Sequence, residues 1–250
     1  MGSAYIGKAK VRVALFSSGA TFGSRPLRHL GNCSGFRFSF AEEEKKLPDF
    51  SSASGGIDAG LKRITDITGS IDMRHFTAEN LALALWGTTS VLAATPIVDE
   101  AGYKIVPNAF VPTNRLINTS IAPVVKKGGT TILTADYTVS AGGITIASTI
   151  TTGSVVSGDA ITISYTPQAS TDVQALISSA PDISIHVDGF NEVDGKNIIF
   201  RGYKVKLGVA QNVELIGDGF GTLQVSLIFQ KDDTITDPGK SQYFELQQAA

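Results

Sequence analysis

The chain lacks the residues and segments on which disulfide-linked and membrane-spanning proteins depend. It contains one cysteine, Cys33, so it can form neither an internal disulfide nor a multi-cysteine metal site. We therefore expect a small buried thiol in a protein assembled in a reducing cytoplasm. The sequence contains no run of 18 apolar residues, so no membrane-spanning helix is predicted. The polar, glycine-containing start predicts no signal peptide.

Charge is scarce as well. Charged residues make up 18% of the chain, below the roughly 25% typical of soluble domains. The formal net charge of −2 gives no global positive field that would attract nucleic acid or a membrane surface. Small polar and β-branched residues are abundant instead, which favours strands, tight turns and a surface partly buried against partners.

Recognisable catalytic patterns are missing too. His29, His75 and His186 are scattered, without the HxxxH or HxH spacing of metal ligands. The glycines of Gly217–Gly221 precede a predicted strand, so they lack the helix N-terminus that would hold a phosphate. We expect no enzyme and no cofactor.

One loose group of acidic residues follows a predicted strand near residue 188. It comprises Asp188, Glu192 and Asp194. Calcium loops need several oxygen ligands at fixed spacing, and Asp-Gly pairs such as Asp188-Gly189 are turn signals first. We expect no metal there.

Alternating apolar and polar residues predict half-buried strands at both ends of the chain. The clearest stretches are 11–15, 36–40, 183–187, 205–209 and 223–229. In the first, Val11, Val13 and Leu15 share one face. In the second, the rings of Phe36, Phe38 and Phe40 are expected to be core.

One α-helix is predicted over 77–86. Thr77 is a natural N-cap. Glu79 lies in the first turn, where the helix dipole favours negative charge. Leu81 and Leu85 lie one turn apart, and Gly87 follows as the terminating residue.

The composition changes over 95–176, where charged residues become fewer and short Thr- and Ile-rich strands are predicted between glycine turns. This pattern predicts a small immunoglobulin-like β-sandwich module; an extension of the main sheets is the alternative. With the module as an insertion, 1–94 and 177–250 form the two parts of one core domain.

Two segments stand apart from the predicted core. Residues 41–60 are charged at one end and Ser/Gly-rich at the other, too long for an ordinary hairpin connection. They are interpreted as a long loop that forms an arm, with a disordered solvated loop as the alternative. Residues 231–250 are predicted to be a polar C-terminal arm that becomes ordered only when something binds it.

The order of these features resembles the major tail tube protein family of long-tailed (siphovirus-type) bacteriophages. The resemblance covers residues 5–95 and 180–235 and concerns pattern more than invariant motif. The matching stretches are Gly7–Val11, Ser34–Phe40, Asp49–Gly60, Ile67–Ile71, Asn80–Gly87 and the closing strands in Gly202–Phe229.

The resemblance implies a mainly β fold. Its core would be a two-sheet, barrel-like β-sandwich with one flanking α-helix. The chain would assemble with itself into hexameric rings that stack into a hollow tube in the virion tail. Assembly would occur in the host bacterial cytoplasm, with no membrane insertion.

In such a tube, edge strands are covered by neighbouring subunits. Six subunits with about four strands each, ~4.8 Å apart, give a circumference of roughly 115 Å and a diameter near 37 Å. Double-stranded DNA would pass through without specific binding, and six copies of charge −2 would give a repulsive ring of about −12. Tape measure, tail terminator and distal tail proteins are the further implied partners.

The arm then gains a role in contacts between rings. The candidate contact residues are Glu42, Glu43, Glu44, Lys45, Lys46, Asp49 and Phe50. Lys204 and Lys206 are expected at an interface or in ion pairs, because lysines in the lumen would retain DNA. An inner tube subunit of a contractile tail and a virion adhesin or fibre module are the alternative functions.

Overall fold

The computed structural model describes residues 4–51, 55–153 and 155–249. Strands make up 51% of the chain and helices 5%, so the predicted mainly β, sandwich-like fold is confirmed. The chain forms two compact units, one from residues 1–89 and 173–250 and the other from 90–172. The sequence placed the inserted module at 95–176.

In chain order the strands of the first half are β1 (Gly7–Leu15), β2 (Arg28–His29), β3 (Cys33–Pro48), β4 (Ile57–Met73), β5 (Thr88–Leu92), β6 (Ile97–Lys104), β7 (Phe110–Pro112), β8 (Val124–Lys127) and β9 (Thr130–Thr131). Those of the second half are β10 (Tyr137–Ser140), β11 (Gly143–Ile146), β12 (Ala160–Tyr165), β13 (Ser170–Gln174), β14 (Asp182–Asn191), β15 (Asn197–Leu207), β16 (Asn212–Val213), β17 (Leu223–Gln230) and β18 (Phe244–Gln248). Helix α1 spans Ala78–Ala84, and 3₁₀ turns lie at Phe22–Ser24 and Thr134–Asp136.

The main sheet of the first unit runs in the order β2-β1-β14-β15-β17-β4-β3, with antiparallel pairing throughout. One edge of β15 is shared by two strands. Residues 198–202 of β15 pair with β18, and residues 204–207 pair with β17. The C-terminal strand therefore completes an edge that β17 leaves open.

The core of this unit follows the predicted alternation. Four residues of β17, namely Leu223, Val225, Leu227 and Phe229, are buried, as are Ile183, Ile185 and Val187 of β14. Val11 and Val13 of β1 are buried too. Leu15 is the exception: it is the last residue of β1 and 66% exposed, while Ala14 is buried.

Helix α1 begins as predicted. The Thr77 side chain accepts a hydrogen bond from the Asn80 backbone N–H, 3.2 Å away. At the other end, Trp86 rather than Gly87 takes the left-handed conformation, with φ of 49°. Gly87 is required for another reason: a Cβ there would lie 2.2 Å from the Gln174 carbonyl oxygen.

The second unit has its own core and its own sheets, so the alternative of an extended main sheet is wrong. One sheet has the order β10-β11-β7 and the other β6-β12-β8-β9. They enclose a separate cluster of buried residues that includes Ile117, Val125, Ile144 and Ile163. Strands β5 and β13 pair as a two-stranded ribbon.

The structure corrects two segment predictions. The predicted loop over 41–60 is mostly strand, because β3 continues to Pro48 and β4 begins at Ile57. The predicted unbound C-terminal arm over 231–250 contains β18, which pairs with β15. Both segments are so exposed and polar that they show no apolar alternation, the signal from which strands are predicted.

Candidate assembly surface

The most prominent surface feature is a two-stranded ribbon formed by β3 and β4 beyond the core, here called the arm and defined as residues 42–64. Ile67 is the last buried residue of β4 on this side, and residues 57–66 are exposed. From the Glu42–Ile64 pair to the Asp49–Gly56 hydrogen bond, the arm extends ~24 Å at about 3.4 Å per residue. Both faces of its described strands, 42–48 and 57–64, are open to solvent.

Most of the arm's charges are satisfied within the arm. Arg63 donates two hydrogen bonds to the Glu43 carboxylate, at 2.9 and 2.6 Å. Lys45 lies 3.8 Å from Glu43 on the same face, and Lys46 lies 3.3 Å from Glu44. Ion pairs on an exposed ribbon contribute little stability, typically ~0–1 kcal/mol each. Their consequence is that four of the predicted contact residues already have partners.

The exposed apolar residues of the arm have no such partners. Leu47, Ile57, Leu61 and Ile64 are all exposed, on strands with solvent on both sides. Exposed apolar side chains are common singly on protein surfaces, and several of them on one ribbon are available for burial against a partner. Leu47 and Leu61 lie on one face of the ribbon and Ile64 on the other, so the arm offers apolar side chains for burial on both faces, beside its ion pairs.

The tip is held by local hydrogen bonds. The Asp49 N–H donates to the Gly56 carbonyl oxygen at 3.0 Å. The Asp49 carboxylate accepts from the backbone N–H and hydroxyl of Ser51, at 2.7 and 2.6 Å. Phe50 is 86% exposed, whereas residues 52–54 lie outside the described part of the chain. Of the predicted contact residues, Asp49 shapes the tip and Phe50 projects from it.

A phenylalanine cluster supports the base of the arm. Six rings pack with centroid separations of 5.1–6.4 Å: those of Phe36, Phe38, Phe40, Phe200, Phe229 and Phe244. Phe244 belongs to β18, so the C-terminal strand contributes a ring as well as backbone pairing. The predicted core role of the three β3 rings holds only partly, since Phe40 remains about half exposed.

A groove of about 750 Å³ lies beside this cluster. Phe40, Phe244 and Tyr243 supply its aromatic lining, and Lys204 and Lys231 its positive charges. The predicted pairing of Lys204 and Lys206 is observed: their ammonium groups lie 3.8 and 4.0 Å from Asp182. Asp66 and several uncharged polar residues also line the groove, so its surface is mixed, and Ile64 at the base of the arm forms part of it.

A second cavity of about 640 Å³ contains a buried ion pair. Arg25 and Asp232 lie 3.6 Å apart, and both side chains are less than 5% exposed. Arg25 also donates to the Ser184 hydroxyl and to the carbonyl oxygens of Tyr203 and Ala20, at 2.5, 2.9 and 3.0 Å. Its guanidinium stacks on the Phe16 ring, 4.6 Å from the centroid. The pair joins the segment around residue 25 and the C-terminal segment to the sheet.

His186 lines the same cavity. Its pKa is lowered, first by burial and then by the positive charges of Arg201 and Arg12, so the ring is neutral at pH 7. Its Nδ1 atom is buried and has no hydrogen-bond partner. Tyr203, which lines the same cavity, donates a hydrogen bond to Glu245 at 3.2 Å.

The loose acidic group does not converge. Asp188 pairs with Arg12 at 3.3 Å, and Glu192 pairs with Lys8. The Asp194 carboxylate accepts from the Lys196 N–H at 3.1 Å. Of the residues that the structure describes, no group of three or more His, Cys, Asp and Glu could hold a metal ion. No helix in this part of the chain is both long and apolar enough to cross a bilayer.

The buried polar groups of the second unit stabilise loops. Asp136 is buried, and its two oxygens accept from the backbone N–H groups and hydroxyls of Thr151 and Thr152, at 2.5–2.9 Å. These bonds, led by the one from the Thr152 hydroxyl, lower the Asp136 pKa to about 2. The carboxylate therefore ties residues 151 and 152 to the 3₁₀ turn at 134–136.

Comparison with known families places the chain in a family. A family model described as "Protein of unknown function UCP028589" matches residues 4–247. The chain belongs to this family. No curated protein matches the chain. The match to the UCP028589 family covers both compact units, the arm and β18.

Sequence reasoning missed one exposed feature in this family member. The loop between β16 and β17 projects three large apolar side chains, those of Leu215, Ile216 and Phe220. The glycines before the strand predict only a hairpin turn there. The available signal was the occurrence of large apolar residues inside a glycine-rich turn, where soluble loops usually carry polar ones.

Proposed function

We propose that the chain is a structural subunit that assembles with copies of itself into stacked hexameric rings. In this proposal the rings form the hollow tail tube of a long-tailed bacteriophage, through which DNA is delivered to the host cell. The observation that carries the proposal is the arm, a ribbon of about 24 Å with both faces exposed.

A ribbon of this kind would be stabilised by packing against a partner. An isolated two-stranded hairpin is marginally stable in water, because it buries little apolar surface against anything else. The exposed Leu47, Leu61 and Ile64 would become buried if the arm lay on another subunit. A long exposed edge such as that of β3 is also a template for pairing, and a closed ring would cover it.

The rest of the surface supports self-assembly in the same unit. The groove beside the phenylalanine cluster offers exposed aromatic rings among polar residues, while the arm carries exposed apolar side chains. One surface patch that contacts a different patch on the next copy gives a heterologous contact. Such a contact produces a closed ring or a continuing filament, the two elements of a stacked tube.

Replacement of the arm tests the proposal. Residues 43–63 are exchanged for an Asn-Gly turn that joins Glu42 to Ile64, the pair at the arm's base. Both strands must be removed together, because deletion of 42–56 alone would leave residues 57–66 unpaired. We expect a folded monomer that forms no rings or tubes, as judged by circular dichroism, sedimentation velocity and electron microscopy.

A set of substitutions with a matched control tests whether assembly depends on the apolar side chains of the arm and not only on its length. Leu47→Thr, Leu61→Thr and Ile64→Thr keep strand-forming residues while removing apolar surface from the arm. Val91→Thr and Val98→Thr do the same at exposed strand positions outside the arm. The proposal requires lost assembly in the arm set and unchanged assembly in the control. Normal rings from the arm-replaced chain would contradict it.

A further inference from the structure

The loop between β16 and β17, defined as residues 214–222, exposes apolar surface to an unusual degree. Leu215 is 80% exposed, Ile216 94% and Phe220 96%. Monomeric soluble proteins rarely present contiguous apolar patches of this kind without an interaction partner. Burial of an aromatic side chain alone removes about 150–250 Å² from solvent. Docking of the loop on an apolar surface would therefore be favourable.

The loop's backbone is held in place although its side chains are exposed. Arg74 donates to the Phe220 carbonyl oxygen at 2.8 Å. Gly221 lies against the Phe76 ring and the Glu214 carbonyl, where a Cβ would lie within 3.0–3.1 Å of both. The ring of Phe220 is thus presented on an anchored turn, which reduces the entropy that docking would cost.

A small apolar groove lies elsewhere on the same unit. Its volume is about 270 Å³, and it shares no residue with the loop. Val13, Ala14 and Ile183 are buried and form its floor. Leu15, Pro26 and Leu83 supply its walls. Leu15, whose exposure the strand pattern does not explain, lines this groove.

Charge distinguishes the two surfaces. Between Val209 and Gln230 the chain contains two acidic residues, Glu214 and Asp218, and no lysine or arginine. The charged residue lining the groove is Arg28. Its guanidinium donates to the Asn80 amide oxygen at 2.8 Å and the Glu79 carbonyl at 3.1 Å, and the Glu79 carboxylate also attracts it electrostatically. An acidic loop beside this arginine would gain a favourable interaction.

We infer that the 214–222 loop of one copy docks into the groove lined by Leu15, Pro26 and Leu83 of a second copy, with Phe220 as the inserted side chain. This inference rests on the proposed self-assembly and names one of its contacts. The partner is a second copy of this chain because the same molecule presents both the acidic apolar loop and an apolar groove with a positive rim.

The size of the contact sets its role. Three apolar side chains cover roughly 400–500 Å² on one side, below the ~800 Å² per partner of a standard stable interface. The loop and groove therefore act together with other contacts and do not hold two copies together alone. Since loop and groove are different patches, each copy offers one of each, as a ring requires.

Disulfide trapping captures a contact of this strength. Cys33 is the only cysteine, so Cys33→Ser gives a cysteine-free background. Phe220→Cys is made in one preparation and Leu15→Cys in a second, isotopically labelled one. The mixed full-length chains are oxidised with copper-phenanthroline at concentrations where the unmodified chain assembles. Mass spectrometry then measures the disulfide between residues 220 and 15 of different copies. Val91→Cys, 85% exposed in the other unit, replaces Leu15→Cys in the control mixture.

We expect the 220–15 disulfide to form at least tenfold faster than the 220–91 disulfide, because bridging requires Cα atoms within about 7 Å. Equal rates would overturn the inference, and so would a predominant 220–220 disulfide, which indicates two loops meeting across a two-fold axis. Sedimentation of the unmodified chain distinguishes a failure of this contact from a failure of the proposed self-assembly. Assembly without the 220–15 disulfide refutes this contact alone, whereas no assembly at all refutes the proposed function.

Discussion

Removal of the charge of Asp232 tests how the C-terminal segment is held on the sheet. Asp232→Asn keeps an oxygen for the hydrogen bonds from the Thr234 N–H and hydroxyl, at 3.1 and 2.6 Å. It removes only the negative charge that faces Arg25 at 3.6 Å. Arg25 is then left buried with a positive charge and no counter-charge.

The structure sets the size of the effect. Two unit charges 3.6 Å apart attract by roughly 4–5 kcal/mol at an effective dielectric constant of ~20. Loss of one partner of a buried pair typically costs about 3–5 kcal/mol. Arg25 retains three hydrogen bonds and its stacking on Phe16, which places the expected loss at the lower end, about 3 kcal/mol. For a chain of this size that lowers Tm by roughly 6–12 °C.

The assay is a double-mutant cycle followed by urea unfolding. Trp86 is the only tryptophan and lies in the first unit, where its indole donates to the Leu207 carbonyl, so its fluorescence reports that unit. Asp232→Asn, Arg25→Met and the double variant are compared, and the double variant should recover about 2 kcal/mol relative to the sum of the single losses. Additivity within about 0.5 kcal/mol would refute the coupling.

Two further predictions concern single groups. Asp136→Asn should destabilise the second unit by about 3 kcal/mol at pH 7, since a buried carboxylate that accepts four hydrogen bonds is lost. The folded-state pKa of Asp136, about 2, lies below the unfolded value near 3.9, so its stabilising contribution is present above pH 4 and lost as the pH falls towards 2. Hydrogen exchange of peptides from residues 90–172 should therefore show a difference between the two chains that shrinks over this interval; a constant difference would contradict the assignment. Burial, followed by the negative charge of Asp72, raises the Cys33 pKa to about 11, so alkylation by iodoacetamide at pH 8 should be roughly a hundredfold slower than for a free cysteine. Alkylation at the rate of the unfolded chain would show that the thiol is not shielded.

Much of the core could be predicted from the sequence because one face of each strand is buried. In 183–187 and 223–229 every second residue is apolar, and the structure buries those residues; Ser184, buried as well, and Ile228, 46% exposed, depart from the pattern. The Thr77 cap is also recognisable, because it depends on neighbouring residues alone. Gly87 shows the limit of local reasoning. The sequence predicts it as the residue that ends the helix, whereas the structure requires glycine there because the Gln174 carbonyl oxygen approaches closely. That contact joins distant parts of the chain.

The candidate surface was only partly predictable, for a related reason. The strands of the arm have solvent on both faces, so Glu42–Lys46 reads as a charge run although each residue pairs with the opposite strand. The polar composition of the C-terminal segment likewise concealed β18, whose one large apolar anchor is Phe244. The predicted contact residues remain a prediction, and the structure adds Leu47, Leu61 and Ile64 as exposed apolar residues of the same arm.

Electron microscopy of the purified full-length chain, with sedimentation velocity on the same sample, tests the central claim most directly. The proposed function predicts hollow rings of six-fold symmetry that stack into tubes, with a backbone diameter of roughly 37 Å around the lumen. A monodisperse monomer at several hundred micromolar, with no rings on the grid, would contradict it.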